Sequence, residues 1–376
     1  PPPPHAAGAP RKRARTAVPR GRRLLFDGGL ATWLETGYKK DLTHHLWSTK
    51  VLEEEPKVVE DAHYDFLVQG DCDVIITCTY QSSLKHGFGG DYEKFRDSIH
   101  RACAVASTAR DRAVSARSEA GQQGQRPILL AGSCGAYGAA LANGAEYTGE
   151  YGLEGRTPEE VVQLLKDFHL PRMRILCGQE ESSSSGALVD ILAAETVPLA
   201  IEGKALSALF QKFQMPGYVT FSCRSNTELC SGEKLREAVA GLEFSEYLVG
   251  VGVNCTAPQH VESLIGEAKA GIDDARQARS DSAESDAAFE VNIVVYPNLG
   301  EIYDGETKTW KKDPALGPTS FTDLAQKWRE AGATWIGGLD GSRHWERDSI
   351  PLRLVQPNIE QCWLLPNGAP RYEGPA

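Results

Sequence analysis

Short apolar runs alternate with amphipathic segments along most of the chain. Eight such runs recur, and each of the first seven is followed by a segment with helical periodicity. The runs cover 22–29, 73–80, 127–138, 188–196, 217–224, 246–255, 290–298 and 333–338. Because they are continuously apolar rather than alternating, both faces of each strand should be buried, as in a parallel sheet. Eight βα units predict an α/β protein, a closed (β/α)8 TIM barrel with its active site at the carboxyl ends of the strands.

The barrel pattern covers 24–338 and leaves a different segment at each end. Residues 1–23 are rich in Pro and Ala and carry seven basic side chains but no acid, which predicts a disordered basic head. Its RKRAR stretch could be a nuclear-localisation patch, or the head a poor transit peptide, but a solvated tail or an uncertain translation start is the favoured interpretation. Residues 339–376 are expected to form a divergent tail. Three polar segments are predicted to be surface insertions, at 117–127, 178–187 and 272–288.

Charge and cysteine content narrow the class of protein. The net charge of −11 argues against non-specific binding to nucleic acid. No apolar run approaches the roughly 18–20 residues that a membrane helix needs. The nine cysteines are odd in number and scattered, with no apolar signal peptide before them, which is typical of reduced thiols. We therefore expect a cytoplasmic protein that binds neither nucleic acid nor membranes.

Polar residues occur where several of the predicted strands end. Asp27 and Gly28 follow the first strand, and Glu195 ends the fourth. These positions would bring two carboxylates into one mouth of the barrel, where exclusion of water strengthens their hydrogen bonds to a cation. The pattern suits an ammonium group such as that of an α-amino acid. A plain turn at Asp27 and a helix N-cap at Glu195 would explain the same residues.

Other residues of interest have simpler explanations. Cys78, Cys134 and Cys223 also lie at strand ends, but their apolar neighbours favour packing over a thiol cluster. His169 is interpreted as a structural residue of a helix. The Gly-rich segment 132–138 lacks the Gly-Lys-Ser/Thr end of a phosphate-binding loop and is weak evidence for a nucleotide site.

Successive sequence blocks resemble those of the homocysteine S-methyltransferase family. They occur in the family's order and cover about 24–338. The clearest are FDGGLATWLETG (26–37), TCTYQSS (77–83), AAETVP (193–198), GVNCTAPQHV (252–261) and VVYPNLGEIYD (294–304). The resemblance implies transfer of a methyl group from S-methylmethionine or S-adenosylmethionine to homocysteine, which forms methionine and belongs to methionine biosynthesis.

The same resemblance assigns roles to individual residues. It implies that Asp27 and Glu195 hold the homocysteine ammonium, with Gly28 and Thr77 beside them, and that Asn254 shapes the pocket. It also implies a zinc ion held by three cysteine thiolates, with the substrate sulfur as fourth ligand. Zinc-bound thiols lose their proton near neutral pH, which makes the sulfur nucleophilic.

The expected zinc site is incomplete in this sequence. Cys255 corresponds to the first ligand, but the family's Gly-Gly-Cys-Cys-Arg reads Gly337-Gly338-Leu339-Asp340-Gly341 here. Asp340 and His344 are chemically able substitute ligands, whereas Leu339 is not. We therefore expect far less than one zinc per molecule and negligible methyl transfer from the chain as it stands.

Two alternatives explain the missing cysteine pair. The barrel could keep an amino-acid pocket but perform no zinc chemistry. Alternatively, the reading after Gly338 could be wrong through a missed splice site or a frameshift. Close agreement with the family up to Gly338, followed by abrupt loss, favours the second explanation over gradual decay.

Overall fold

The computed structural model describes residues 18, 21–120, 126–180, 186–281, 290–298, 301–304, 309–312 and 321–338. The predicted basic head lies outside these residues except for 18 and 21–23, and the predicted tail lies wholly outside them. The middle of each of the first two predicted insertions and residues 282–288 of the third are also outside. In the described part of the chain, no helix combines the length and the apolar character that crossing a membrane requires.

Eight parallel strands form the barrel, and all eight predicted runs contain one. The barrel strands and a separate pair, β8 with β9, are in chain order β1 (Leu24–Leu25), β2 (Val74–Ile76), β3 (Leu129–Gly135), β4 (Ile191–Val197), β5 (Gly217–Phe221), β6 (Leu248–Asn254), β7 (Asn292–Tyr296), β8 (Glu301–Asp304), β9 (Thr309–Lys312) and β10 (Trp335–Ile336). The barrel order is β1-β10-β7-β6-β5-β4-β3-β2. A bridge between Phe26 and Val74 brings the two edges together. The predicted (β/α)8 barrel is confirmed.

Helices alternate with the barrel strands. They are α1 (Leu30–Thr36), α2 (Ser48–Glu54), α3 (Pro56–Val68), α4 (Tyr92–Glu119), α5 (Tyr137–Leu141), α6 (Pro158–Leu176), α7 (Ala200–Phe213), α8 (Leu235–Ala240), α9 (Pro258–Asp281) and α10 (Phe321–Ala331). One helical segment was predicted between β1 and β2, where the structure has α1, α2 and α3. Pro56 begins α3, because the first helical position needs no backbone N–H partner.

Two local predictions differ from the structure. Helix α9 continues to Asp281, through much of the third predicted insertion, because Ile272 and Ala275 still face the core. The segment between β7 and α10, for which no strand was predicted, contains an antiparallel pair, β8 with β9.

The barrel strands are buried on both faces, as their continuous apolar composition predicts. Every residue of β3, β4 and β6 is buried. Close packing leaves no space at Gly252, where a Cβ atom would lie 1.8 Å from the Val294 carbonyl oxygen. Inside the barrel, the Phe26 ring stacks on Tyr296 at 6.0 Å and meets Tyr218 edge-on at 5.5 Å. This aromatic layer fixes the position of Tyr296 close to the candidate site.

Candidate functional site

The polar residues predicted for the site lie at the carboxyl ends of the barrel strands. Asp27 follows β1 and Thr77 follows β2 directly. Glu195 lies near the end of β4, Asn254 ends β6, and Cys255 follows it. Because the strands are parallel, these residues share one end of the barrel, where residues from different strands can act together.

Glu195 is held by two hydroxyl groups. Its side chain is buried, and its Oε1 accepts a hydrogen bond of 2.6 Å from Ser133 Oγ. Its Oε2 accepts one of 3.1 Å from the Tyr296 hydroxyl. Burial raises the pKa of Glu195 to about 7, although these hydrogen bonds and the charge of Arg172 act to lower it. This carboxyl group is therefore partly protonated near neutral pH.

Asp27 provides the second carboxylate. Its Oδ2 accepts a hydrogen bond of 2.8 Å from the Ile76 N–H, whereas its buried Oδ1 has no partner among the described residues. Burial is the main cause that raises the pKa of Asp27 well above its usual range, and the charge of Glu195 raises it further. Next to it, Gly28 allows close packing, since a Cβ there would lie 3.0 Å from the Phe66 ring. The charge of Glu195 thus acts on Asp27, which retains an oxygen that can accept a hydrogen bond.

Thr77 supports this arrangement through β3. Its Oγ1 accepts a hydrogen bond of 3.0 Å from the Ser133 N–H. Thr79 Oγ1 donates to the Ser133 carbonyl at 2.8 Å, so the Thr77 hydroxyl is the donor in the 2.9 Å contact between the two threonines. These bonds fix the backbone of Ser133, which in turn holds Glu195.

Cys255 lies on a strained turn after β6. It and Thr196 have positive φ angles of 47° and 58°, which are uncommon for residues other than glycine. The Asn254 side chain stabilises the Thr196 backbone, because its Oδ1 accepts from the Thr196 N–H at 2.7 Å. Asn254 Nδ2 also lies 3.3 Å from the Cys255 sulfur. Burial raises the pKa of the Cys255 thiol to about 11.

The residues around Cys255 do not fit a zinc site with three thiolates. In the part of the chain that the structure describes, no group of three or more His, Cys, Asp or Glu residues could hold a metal ion. The contacts of the Cys255 sulfur include Asn254 and the Thr196 hydroxyl, which is 3.6 Å away. Asp340 and His344 lie outside the described residues. The two positions that directly follow Gly338 are Leu339 and Asp340, so neither is a cysteine.

The three other strand-end cysteines are core residues. Cys78, Cys134 and Cys223 are all buried, and burial raises the pKa of each thiol. Their predicted role in packing is confirmed. Ser133 and Tyr296 were not predicted as partners of Glu195. The available signal was the presence of two hydroxyl groups near the ends of apolar runs.

Comparison with known proteins places this barrel in a family. The family profile described as Homocysteine S-methyltransferase matches residues 24–339. The chain belongs to the homocysteine S-methyltransferase family. It is 35% identical to a selenocysteine Se-methyltransferase of Brassica oleracea var. italica over 344 residues, which are 89% of this chain and 90% of that relative. It is also 35% identical to homocysteine S-methyltransferase 1 of Zea mays, with coverage of 84% and 88%.

A solved structure gives the same assignment. The metallated form of the homocysteine methyltransferase MmuM from Escherichia coli matches with a TM-score of 0.62 and 28% sequence identity. The match covers 84% of this chain and 91% of that protein. The family indicated by the sequence blocks is therefore confirmed.

Proposed function

We propose that the protein binds homocysteine at the carboxyl ends of the strands and transfers a methyl group to its sulfur. The donor would be a sulfonium compound, S-methylmethionine or S-adenosylmethionine. The bond between the donor sulfur and the methyl group breaks, a new bond forms to the homocysteine sulfur, and the donor leaves as a neutral thioether. The thiol proton passes to solvent, and the product is methionine, which supports a role in amino-acid biosynthesis.

The pair of buried carboxylates is the observation that carries this proposal. Burial raises the cost of ionising both carboxyl groups, the charge of Glu195 raises that of Asp27 further, and Asp27 Oδ1 is buried without a described partner. An ammonium group between them would supply both the opposite charge and the missing hydrogen-bond donors. This arrangement favours an amino acid over a neutral substrate.

The orientation of the substrate follows from the position of Cys255. The charge of Glu195 acts on the Cys255 thiol, so the two groups are close enough to interact electrostatically. With its ammonium between Asp27 and Glu195, homocysteine can direct its sulfur toward Cys255. We propose that Gly28 and Thr77 border the ammonium end and that Asn254 borders the sulfur end.

Zinc is the part of the family's chemistry that these residues fit poorly. Tight zinc sites need several deprotonated ligands acting together, and Cys255 is one. No step of the proposed transfer therefore depends on a bound metal. The accepting sulfur must still be a thiolate to react quickly. We infer that the chain with Leu339 and Asp340 holds little zinc and transfers methyl groups slowly.

A transfer assay with deuterated homocysteine tests the function. Deuterated homocysteine is needed because S-methylmethionine itself becomes methionine when it loses a methyl group. The protein and a variant carrying Leu339→Cys, Asp340→Cys and Gly341→Arg would be incubated with each donor, and deuterated methionine measured by mass spectrometry. We expect little product and far less than one zinc per molecule from the unaltered chain, and a gain in both for the variant.

Cys255→Ala in the restored variant is the matched control, and it should abolish the gain in zinc and product. A restored variant that holds stoichiometric zinc and homocysteine but forms no product would contradict methyl transfer and favour a binding protein. Stoichiometric zinc in the unaltered chain, lost on Cys255→Ala, would instead identify Asp340 or His344 as substitute ligands.

A further inference from the structure

A buried arginine on α6 joins the two segments beside the amino-acid site. The Arg172 side chain is 2% exposed. Its Nη1 donates to the carbonyl oxygens of Thr79, Tyr80 and Ser82 at 3.3, 3.1 and 3.1 Å. Its Nη2 donates to the Gly135 carbonyl oxygen at 2.7 Å. One guanidinium thus connects the segment after β2 with the end of β3.

Two further residues fix the orientation of this guanidinium. Arg172 Nη2 lies 3.1 Å from His169 Nδ1, and since a guanidinium only donates, Nδ1 must be the acceptor. The ring proton is therefore on Nε2, which donates to Glu202 Oε1 at 2.8 Å. Glu202 is fixed in turn by the Tyr137 N–H at 2.6 Å and by the Tyr151 hydroxyl. Arg172, His169 and Glu202 form a buried chain of hydrogen bonds with a neutral imidazole.

The segments that Arg172 joins are those that position Glu195. The segment after β2 begins with Thr77 and Thr79, whose hydroxyls hold the Ser133 backbone. Gly135 lies two residues after Ser133 in β3. A shift of either segment would move the Ser133 hydroxyl away from Glu195 Oε1.

We propose that Arg172, aligned by His169 and Glu202, is a positioning residue for the homocysteine site: it fixes the segment after β2 and the end of β3 so that Ser133 can hold Glu195. This inference rests on the proposed function, since it assumes that Glu195 binds the substrate ammonium. His169 therefore has a role beyond the helix that contains it.

Arg172 also contributes its charge. Among the described residues, the titratable groups that interact electrostatically with Glu195 include Asp27, Tyr80, Cys134, Arg172, Tyr218, Cys255 and Tyr296. Of these, Arg172 is the cation. Its removal should allow Glu195 to be protonated at higher pH, so homocysteine binding should require higher pH as well.

Calorimetric titration with homocysteine across pH can separate the two contributions. R172K keeps the charge but has too few donors for every acceptor. We therefore expect binding about tenfold weaker, the size of one weakened hydrogen bond to the substrate, with an unchanged pH profile. R172Q loses the charge as well, and its profile should move to higher pH. H169L removes the aligning partner and should weaken binding without moving the profile.

The matched control is R110K. Arg110 is also buried, and its Nη1 donates to Asp190 at 3.1 Å, but Asp190 precedes β4 and lies at the opposite end of the barrel. This variant should lose stability yet bind homocysteine as the unaltered protein does. A merely structural effect of Arg172 would leave affinity unchanged in the same way.

E195Q in the same titration separates failure of this inference from failure of the proposed function. Weakened binding in E195Q, with unaltered affinity in folded R172K and H169L, would overturn the positioning role alone. Unaltered binding in E195Q would reject the proposed function. If R172Q does not fold, R172K and H169L still decide the positioning role.

Discussion

Replacing Glu195 with Gln should make the empty protein more stable while making its complex with homocysteine weaker. The pKa of Glu195 in the folded protein, about 7, is raised above the ordinary value of 4.5. The folded state therefore binds more protons than the unfolded state between these values. Stability falls as pH rises through this window, and the loss is complete above the folded pKa. A neutral isostere avoids that loss.

The magnitude follows from the shift in pKa. A rise from 4.5 to about 7 corresponds to about 3 kcal/mol of unfolding free energy above neutral pH. The local hydrogen bonds can adapt: Ser133 can donate to the Gln oxygen, and the Tyr296 hydroxyl can donate instead to Thr220 Oγ1, 2.9 Å away. For the complex, loss of a charged hydrogen bond costs roughly 1.5–3 kcal/mol, or roughly 10- to 150-fold in Kd.

Urea denaturation at about pH 8 and calorimetric titration from about pH 6 to pH 8 measure the two effects. The affinity of the unaltered protein should rise with pH until Glu195 is ionised, and this dependence should be reduced in the variant. A variant that is less stable than the unaltered protein would refute the argument from burial. Equal affinity at every pH would refute the binding role of Glu195.

Three further changes test other parts of the structure. Tyr296→Phe removes one donor to Glu195 and should therefore raise the pKa of this carboxyl group. Homocysteine binding should then need higher pH in calorimetric titration, and an unmoved pH profile would exclude Tyr296 as a partner that keeps Glu195 ionised. Gly252→Ala should destabilise the barrel by about 3 kcal/mol or more in urea, because its Cβ would overlap the Val294 carbonyl; unchanged stability would contradict the packing. Burial lowers the pKa of His63 to about 4, and its ring has no hydrogen-bond partner among the described residues, so stability should fall as pH drops from 6.5. His63→Leu should remove this loss in acid denaturation, and equal acid sensitivity would argue against it.

The barrel could be predicted because its strands are buried on both faces. That burial requires continuous apolar runs, which sequence shows directly, and parallel strands then bring their ends together. Asp27, Glu195 and Cys255 were therefore expected at one end of the barrel, where the structure places them. The extension of α9 was missed because a mostly polar helix needs few apolar residues to pack on one face.

The supporting residues could not be predicted in the same way. Arg172 and Glu195 are joined through the backbone of β3 and the Ser133 side chain, over distances in sequence that no local pattern records. The positive φ of Thr196 also depends on a side chain from another strand, Asn254. Such hydrogen bonds follow from the assembled barrel rather than from any one segment.

A crystal structure of the protein with homocysteine would test the central claim most directly. We predict that the substrate ammonium lies within hydrogen-bonding distance of both Asp27 and Glu195, occupying the free Oδ1 of Asp27, with the sulfur directed toward Cys255. Homocysteine bound at another place, or with its ammonium away from both carboxylates, would contradict the account.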